Sequence, residues 1–142
     1  MKIILIIIVL ILSKNVYANN TIAQSYNMDE YIGSLNDVVK KEEGIRILKQ
    51  VKDNEYMILL DLHGKEIDSV EFSKIIDMTS IKFSTITFVI GGSLGLSDAV
   101  IQRANYRLCL SKMTFTHQMT RIILLEQVYR SFKILKNETY HK

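Results

Sequence analysis

The chain has 142 residues, of which 48% are apolar and 23% are charged, and its formal net charge is +3. This composition is typical of one globular domain, so disorder is not the default expectation. The single cysteine excludes an intramolecular disulfide, and no Cys/His spacing suits zinc, so we expect no metal. Residues 103–142 hold eight Lys and Arg against two Glu. Such a basic segment favours either an anionic partner, such as nucleic acid, or a solvated helix face.

The apolar run at residues 3–12 has two interpretations. A lysine before it, and small residues such as Ala18 near a cleavage point before Asn19, are typical of a secretory signal peptide. The run is too short to cross a bilayer as a helix, so we expect no membrane span. Its seven Ile and Val residues also fit a strand buried on both faces of a parallel sheet. The local pattern leaves both interpretations open.

Helices and strands alternate along the rest of the chain. After an irregular region, 19–35, with one helical turn from Met28, the apolar spacing predicts a helix over 37–51, weakened by Gly44. The further predicted helices are one capped by Ser69, one over 97–104 capped by Ser97, and one over 117–135 with an apolar face. The predicted strands are 56–62, followed by a turn at 63–65, then 85–90 and 106–111. This alternation predicts an α/β fold with a mostly parallel sheet flanked by helices.

Three of the predicted strands end in segments suited to a ligand. Strand 85–90 runs into a glycine-rich loop, Gly91 to Gly95, and strand 106–111 runs into residues 112–115. Leu60 stands near the end of strand 56–62. Because the carboxyl ends of parallel strands meet at one edge, these segments predict a mostly apolar pocket there. The glycine loop alone is neither a dinucleotide fingerprint nor a P-loop, and it also fits a plain turn from strand to helix.

The motifs of this region resemble the RlmH family of SPOUT-class methyltransferases. The matching segments are 88–96, 103–106, 110–115, 117–119, 121, 125–130 and 140–142, with 43–44, 46–48, 60–61 and 64–65 upstream. The resemblance covers about residues 39–142. Residues 1–38 diverge, and Thr116 stands where the family commonly has proline. The resemblance implies a single SPOUT methyltransferase domain, residues 1–142, with a C-terminal trefoil knot, and a homodimer whose two subunits build the active site.

The resemblance also implies a cofactor and a substrate. The cofactor is S-adenosylmethionine, and the substrate is N3 of a pseudouridine in the 23S ribosomal RNA of the large subunit. The implied cofactor-binding residues are Leu60, Gly91, Leu110, Ser111, Lys112, Met113, Thr114 and Phe115. They coincide with the strand ends that the pattern of elements brings together.

The implied reaction requires removal of the N3 proton, so a general base or a cation that stabilises the imidate is needed. Imidazole exchanges a proton near neutral pH, which makes His141 the candidate base or relay. Tyr140 is a candidate for stacking on the target base. Arg130 and Lys142 are candidates for binding phosphate or the imidate. We expect His117 to support the pocket.

Ribosomes and S-adenosylmethionine are cytoplasmic, so the resemblance favours a cytoplasmic protein in which residues 3–12 form a strand. Two alternatives stay open from the sequence. One is a catalytically silent RNA-binding relative, suggested by the divergent residues 1–38. The other is a secreted small binding protein in which the apolar run is a true signal peptide.

Overall fold

The computed structural model describes residues 5–10, 28–92 and 94–141. Ser93, Lys142 and the proposed cleavage position before Asn19 lie outside these residues. The described elements, in chain order, are β1 (Leu5–Leu10), α1 (Met28–Gln50), β2 (Tyr56–Glu66), α2 (Ser69–Lys82), β3 (Thr85–Ile90), α3 (Asp98–Arg103), β4 (Tyr106–Cys109) and α4 (His117–Leu135).

The described strands form one parallel sheet in the order β1-β3-β2-β4. β1 pairs with β3 from Leu5 opposite Thr85 to Leu10 opposite Ile90. This pairing is the one that the strand interpretation of the apolar run predicts. β2 lies between β3 and β4 and is parallel to both. The predicted α/β fold with a parallel sheet flanked by helices is confirmed.

Helices cover both faces of the sheet because the side chains of its central strands alternate between two apolar clusters. On one face, Ile58 and Phe88 pack with residues of α2 and α4 such as Phe72 and Leu124. On the other face, Leu59 and its neighbours pack with Ile47 of α1 and Val100 of α3. The helices leave the carboxyl ends of β2, β3 and β4 accessible at one edge of the sheet.

Helix α1 begins at Met28, so the irregular region predicted to reach residue 35 and the start predicted at Asp37 are wrong. The reason is that the apolar spacing did not mark the buried face: Val38 and Ile45 are exposed, whereas Glu43, Gly44 and Ile47 are buried. A Cβ at Gly44 would overlap with the side chain of Ser97. Gly44, which weakens the helix prediction, therefore lets α1 pack closely against the start of α3.

The predicted turn at 63–65 is wrong, because β2 continues to Glu66 and pairs with β4 a second time. Leu60 and Lys65 both lie opposite Leu108, with an irregularity between them. The strand predicted over 106–111 ends at Cys109, and residues 110–116 form a loop.

One predicted helix cap is at a different residue, and a second is at the predicted residue but lacks a side-chain hydrogen bond. Helix α2 is capped by Asp68, whose Oδ1 accepts a hydrogen bond from the Glu71 N–H at 2.7 Å, and not by Ser69. Ser97 stands at the N-cap of α3, but its side chain makes no capping hydrogen bond. Helix α4 has its predicted bounds and is capped by Thr116.

None of the helices in the described ranges is both long and apolar enough to cross a membrane. In the same ranges, no three His, Cys, Asp or Glu side chains are grouped as a metal site requires. The structure does not show the C-terminal trefoil knot that the resemblance implies, and the knot stays a prediction.

Candidate active site

A cleft of about 860 Å³ opens at the carboxyl ends of β2, β3 and β4. Its walls are the end of β2, the glycine-rich loop after β3, and the loop from β4 into α4. This volume is within the range of about 300–1,000 Å³ that is typical of small-molecule sites. The cleft lies where the three predicted strand ends were expected to meet.

The structure brings together all but one of the predicted cofactor-binding residues. Those that line the cleft are Leu60, Gly91, Leu110, Ser111, Met113, Thr114 and Phe115. Lys112 is the exception, because its side chain is 88% exposed and its Nζ lies 3.7 Å from Glu66 Oε2.

The glycine-rich loop needs its glycines for close approach. A Cβ at Gly91 would lie 2.8 Å from the side chain of Leu96, and one at Gly92 would lie 2.7 Å from Glu43 Oε2. Gly95 has a backbone φ of +89°, a conformation that residues with a Cβ rarely adopt. The loop therefore packs directly on the buried carboxylate of Glu43.

The cleft has an apolar floor and apolar side chains at its mouth. Leu60, Ile90 and Leu108 are buried beneath it, while Met113 and Phe115 are exposed above it. Ser111 holds the loop that carries these two residues, because its Oγ accepts a hydrogen bond from the Met113 N–H at 3.0 Å. Apolar surfaces of this kind suit a flat heterocycle, with backbone groups of the loops available to bind its edge.

One side of the cleft carries an ion pair that the sequence did not predict. Asp61 Oδ2 accepts hydrogen bonds from Arg107 Nε at 2.7 Å and is 2.5 Å from Arg107 Nη2. Asp61 Oδ1 accepts a hydrogen bond from the His63 N–H at 3.0 Å. Burial favours the protonated carboxyl, but the His63 N–H and the Arg107 guanidinium outweigh it and lower the pKa of Asp61. Asp61 is therefore ionised at neutral pH.

His117 lines the cleft at the start of α4. Its Nδ1 is buried and makes no hydrogen bond to any residue of the described ranges. The supporting role predicted for His117 stays a prediction.

The predicted catalytic residues form a separate cluster, in which the C-terminal tail folds back on α4. Arg130 Nη1 lies 3.4 Å from His141 Nδ1, and the Arg130 guanidinium lies 4.8 Å from the centre of the Tyr140 ring. The Tyr140 ring packs edge-on against Tyr129, with 5.2 Å between ring centres. His141, Tyr140 and Arg130 are thus brought together, but they do not line the cleft of this chain.

Glu126 organises this C-terminal cluster, and sequence reasoning gave it no role. Its Oε1 accepts hydrogen bonds from Arg130 Nε at 2.9 Å and from the Tyr140 hydroxyl at 3.3 Å. The hydrogen bond from Arg130 is the main reason that the pKa of Glu126 lies below its ordinary value. The spacing of four residues between Glu126 and Arg130 on one helix is the sequence signal for this pair.

The apolar face predicted for α4 is divided between the core and the surface. Val128 is buried in the core with Leu124, and Phe132 is half-buried. The remaining apolar residues of that face, Met119, Ile122, Leu125 and Tyr129, are exposed. We call these four residues the α4 stripe.

Comparison with known proteins defines the class of this fold and site. The family model described as predicted SPOUT methyltransferase matches residues 11–141, so the chain is a SPOUT methyltransferase by family. The protein of Clostridium acetobutylicum named ribosomal RNA large subunit methyltransferase H is 58% identical over 106 residues, which are 74% of this chain and 67% of that protein. Relatives with the same name are 59% identical over 105 residues in Clostridium perfringens and 51% identical over 115 residues in Clostridium kluyveri.

The C. perfringens match covers 73% of this chain and 66% of the relative, and the C. kluyveri match covers 80% and 72%. The matched region thus spans about two thirds of the length of these curated relatives. With this identity over most of its length, the chain belongs to the RlmH family.

Proposed function

We propose that this protein is an S-adenosylmethionine-dependent methyltransferase that modifies N3 of a pseudouridine in 23S ribosomal RNA, as a single-domain cytoplasmic homodimer. The relatives named above are ribosomal RNA large subunit methyltransferases, which supports the substrate class. The observation that carries the proposal is the convergence of Leu60, Gly91 and residues 110–115 other than Lys112 on one cleft.

The cleft fits the proposed cofactor in size and chemistry. Leu60, Met113 and Phe115 offer apolar surface for the adenine ring, and the loops of Gly91 and Ser111 bring backbone groups close to it. When bound, S-adenosylmethionine supplies an electrophilic methyl group on a sulfonium. The role of the chain is then to hold the acceptor nitrogen in line with that methyl group, which supplies much of the rate.

The C-terminal cluster supplies the groups that the acceptor requires. His141 accepts the N3 proton or passes it on, and Arg130 stabilises the negative charge that develops on the ring. Glu126 holds the Arg130 guanidinium, and the same carboxylate accepts the Tyr140 hydroxyl hydrogen bond, so the tail is fixed on α4. Tyr140 is 42% exposed, which supports its proposed role in stacking on the target base.

The separation of cleft and cluster supports a homodimer. The cluster lies outside the cleft of its own chain, so a complete site needs the cluster of a second copy. The α4 stripe is an exposed apolar surface on the helix that also carries Arg130, and such surfaces are typical of protein interfaces. We propose that two copies pair through the α4 stripe and complete each other's sites.

Labelled methyl transfer tests the proposed function. Purified protein and methyl-labelled S-adenosylmethionine are incubated with ribosomes that lack the modification, with fully modified ribosomes, and with free 23S ribosomal RNA. We expect label only on the unmodified substrates, mapped to N3 of one pseudouridine. Binding of cofactor and RNA without transfer would identify the catalytically silent relative, and label on another atom would overturn the proposed specificity.

A further inference from the structure

We propose that Arg107 binds the carboxylate of the methyl donor's amino-acid part, and that it makes the cleft selective for donors that carry this carboxylate. The inference deepens the proposed function and rests on it, because it assumes that the cleft takes S-adenosylmethionine.

The Arg107 guanidinium is held in a fixed orientation at the cleft. Both Nε and Nη2 contact the same oxygen of Asp61, whose side chain is only 10% exposed. The other oxygen of Asp61 is bound by the His63 N–H, so the carboxylate itself is fixed at two points. Arg107 follows half-buried Tyr106 and precedes buried Leu108 in β4, and this strand pairing fixes its backbone.

Arg107 keeps hydrogen-bond donors free for a ligand. A guanidinium has five N–H donors, and the contacts to Asp61 use one on Nε and one on Nη2. Both N–H groups of Nη1 and one N–H of Nη2 make no hydrogen bond within the described part of the chain. Because Arg107 lines the cleft and its side chain is 39% exposed, these donors are available to a bound molecule.

The charges of the cleft favour a carboxylate. Among the described residues that line it, Lys40 and Arg107 are cationic and Asp61 is anionic. Both oxygens of Asp61 are already engaged, so a ligand meets an excess of positive charge and unused N–H donors. An arginine binds a carboxylate through two parallel hydrogen bonds, which a lysine such as Lys40 cannot reproduce.

The apolar part of the cleft binds the adenosyl group of every such ligand, so the charge of Arg107 determines which ligand is preferred and not whether one binds. Leu60, Leu110, Met113 and Phe115 can hold the adenosyl part of any related ligand. Arg107 then adds affinity only for ligands that carry the carboxylate. Asp61 is a positioning residue, since it acts by holding the guanidinium.

Calorimetric titration with S-adenosylmethionine and its decarboxylated form tests the proposal, because the two ligands differ by the carboxylate alone. We expect the wild type to bind S-adenosylmethionine about 10- to 100-fold more tightly. Arg107→Gln removes that preference and leaves the affinity for the decarboxylated ligand nearly unchanged. Arg107→Lys keeps the positive charge but loses the paired N–H donors of the guanidinium. We expect its preference for S-adenosylmethionine to be intermediate. Lys74→Gln, exposed on α2 and outside the cleft, keeps the wild-type preference.

Several outcomes overturn the proposal. If the folded wild type binds the two ligands equally, or if Arg107→Gln weakens both by the same factor, the carboxylate role is wrong while the proposed function stands. If the wild type binds neither ligand, the proposed function falls and the carboxylate role falls with it. Arg107→Gln leaves Asp61 unpaired, so Asp61→Asn/Arg107→Gln provides a variant without the unpaired charge, and it must show the same loss of preference.

Discussion

Gly64 lies directly against the backbone of Arg107: a Cβ at position 64 would be 2.7 Å from the carbonyl carbon of Arg107. This contact is where β2, after leaving its pairing at Leu60, crosses beside β4 and pairs again at Lys65. The crossing places Asp61 and His63 in the wall of the cleft. The shape of that wall thus depends on a position without a side chain.

Replacing Gly64 by alanine is expected to destabilise the protein. The added methyl group meets backbone atoms of Arg107 and Leu108, which cannot move aside as a flexible side chain can. We expect the free energy of unfolding to fall by about 1–3 kcal/mol, measured by urea denaturation. The matched control is Gly33→Ala in α1, where the new Cβ meets nothing within 4 Å. We expect this replacement to raise the free energy of unfolding by about 0.5–1 kcal/mol. Equal changes in the free energy of unfolding for Gly64→Ala and Gly33→Ala would contradict the close contact between β2 and β4 at Gly64.

Removing the imidazole of His141 is expected to stop methyl transfer without loss of the cofactor. His141 contacts Arg130 in the C-terminal cluster and does not line the cleft. His141→Ala should therefore reduce turnover on unmodified ribosomes by about 100-fold or more, while the calorimetric affinity for S-adenosylmethionine stays unchanged. Lys136→Ala, at the exposed end of α4, serves as the control with wild-type turnover. Undiminished turnover in His141→Ala would remove this residue from the mechanism.

The α4 stripe is expected to hold the proposed homodimer together. Ile122 is 62% exposed in the stripe, and an aspartate there would place an unpaired charge in the interface. Ile122→Asp should convert a dimer into a monomer by light scattering and abolish methyl transfer. The monomer should stay folded by circular dichroism, with a lower melting temperature because it loses the stabilisation that pairing gives to the folded state. Met78→Asp, on α2 with 66% exposure, should stay dimeric and active. A wild type that is monomeric, or an Ile122→Asp variant that stays dimeric, would contradict the pairing through this stripe.

Acid is expected to weaken the ion pair of the cleft wall. The pKa of Asp61 is lower in the folded protein than its ordinary value, so the pair stabilises the fold above that ordinary value and the contribution is lost as the pH falls through the folded pKa. Asp61→Asn should be less stable than the wild type by about 1–2 kcal/mol at pH 7, and the difference should shrink below about pH 4. Urea denaturation from pH 3 to pH 7 measures this difference. A difference that is constant with pH would show that the carboxylate charge of Asp61 does not stabilise the fold.

The sequence predicted those features that local patterns determine. The bounds of α4 followed from its apolar periodicity, and β3 followed from the short apolar segment that ends at Ile90 before the glycine-rich loop. The convergence of Leu60, Gly91 and Met113 followed from the general rule that parallel strands end at one edge. These inferences need no knowledge of distant contacts.

Features that depend on contacts between distant segments could not be predicted. Gly64 has the residue type of a turn, and only its packing on β4 shows why the strand continues past it. The buried face of α1 is marked by Glu43 and Gly44, which no apolar periodicity selects. The ion pair between Asp61 and Arg107 joins positions far apart in the chain. The fold likewise determines that the residues of the C-terminal cluster do not line the cleft.

A crystal structure of the protein grown with S-adenosylmethionine tests the central claim most directly. We predict electron density for the donor in the cleft, with its adenosyl part in contact with Leu60, Gly91 and Met113. Density for the donor at any other place on the molecule, with this cleft filled only by solvent, would contradict the claim.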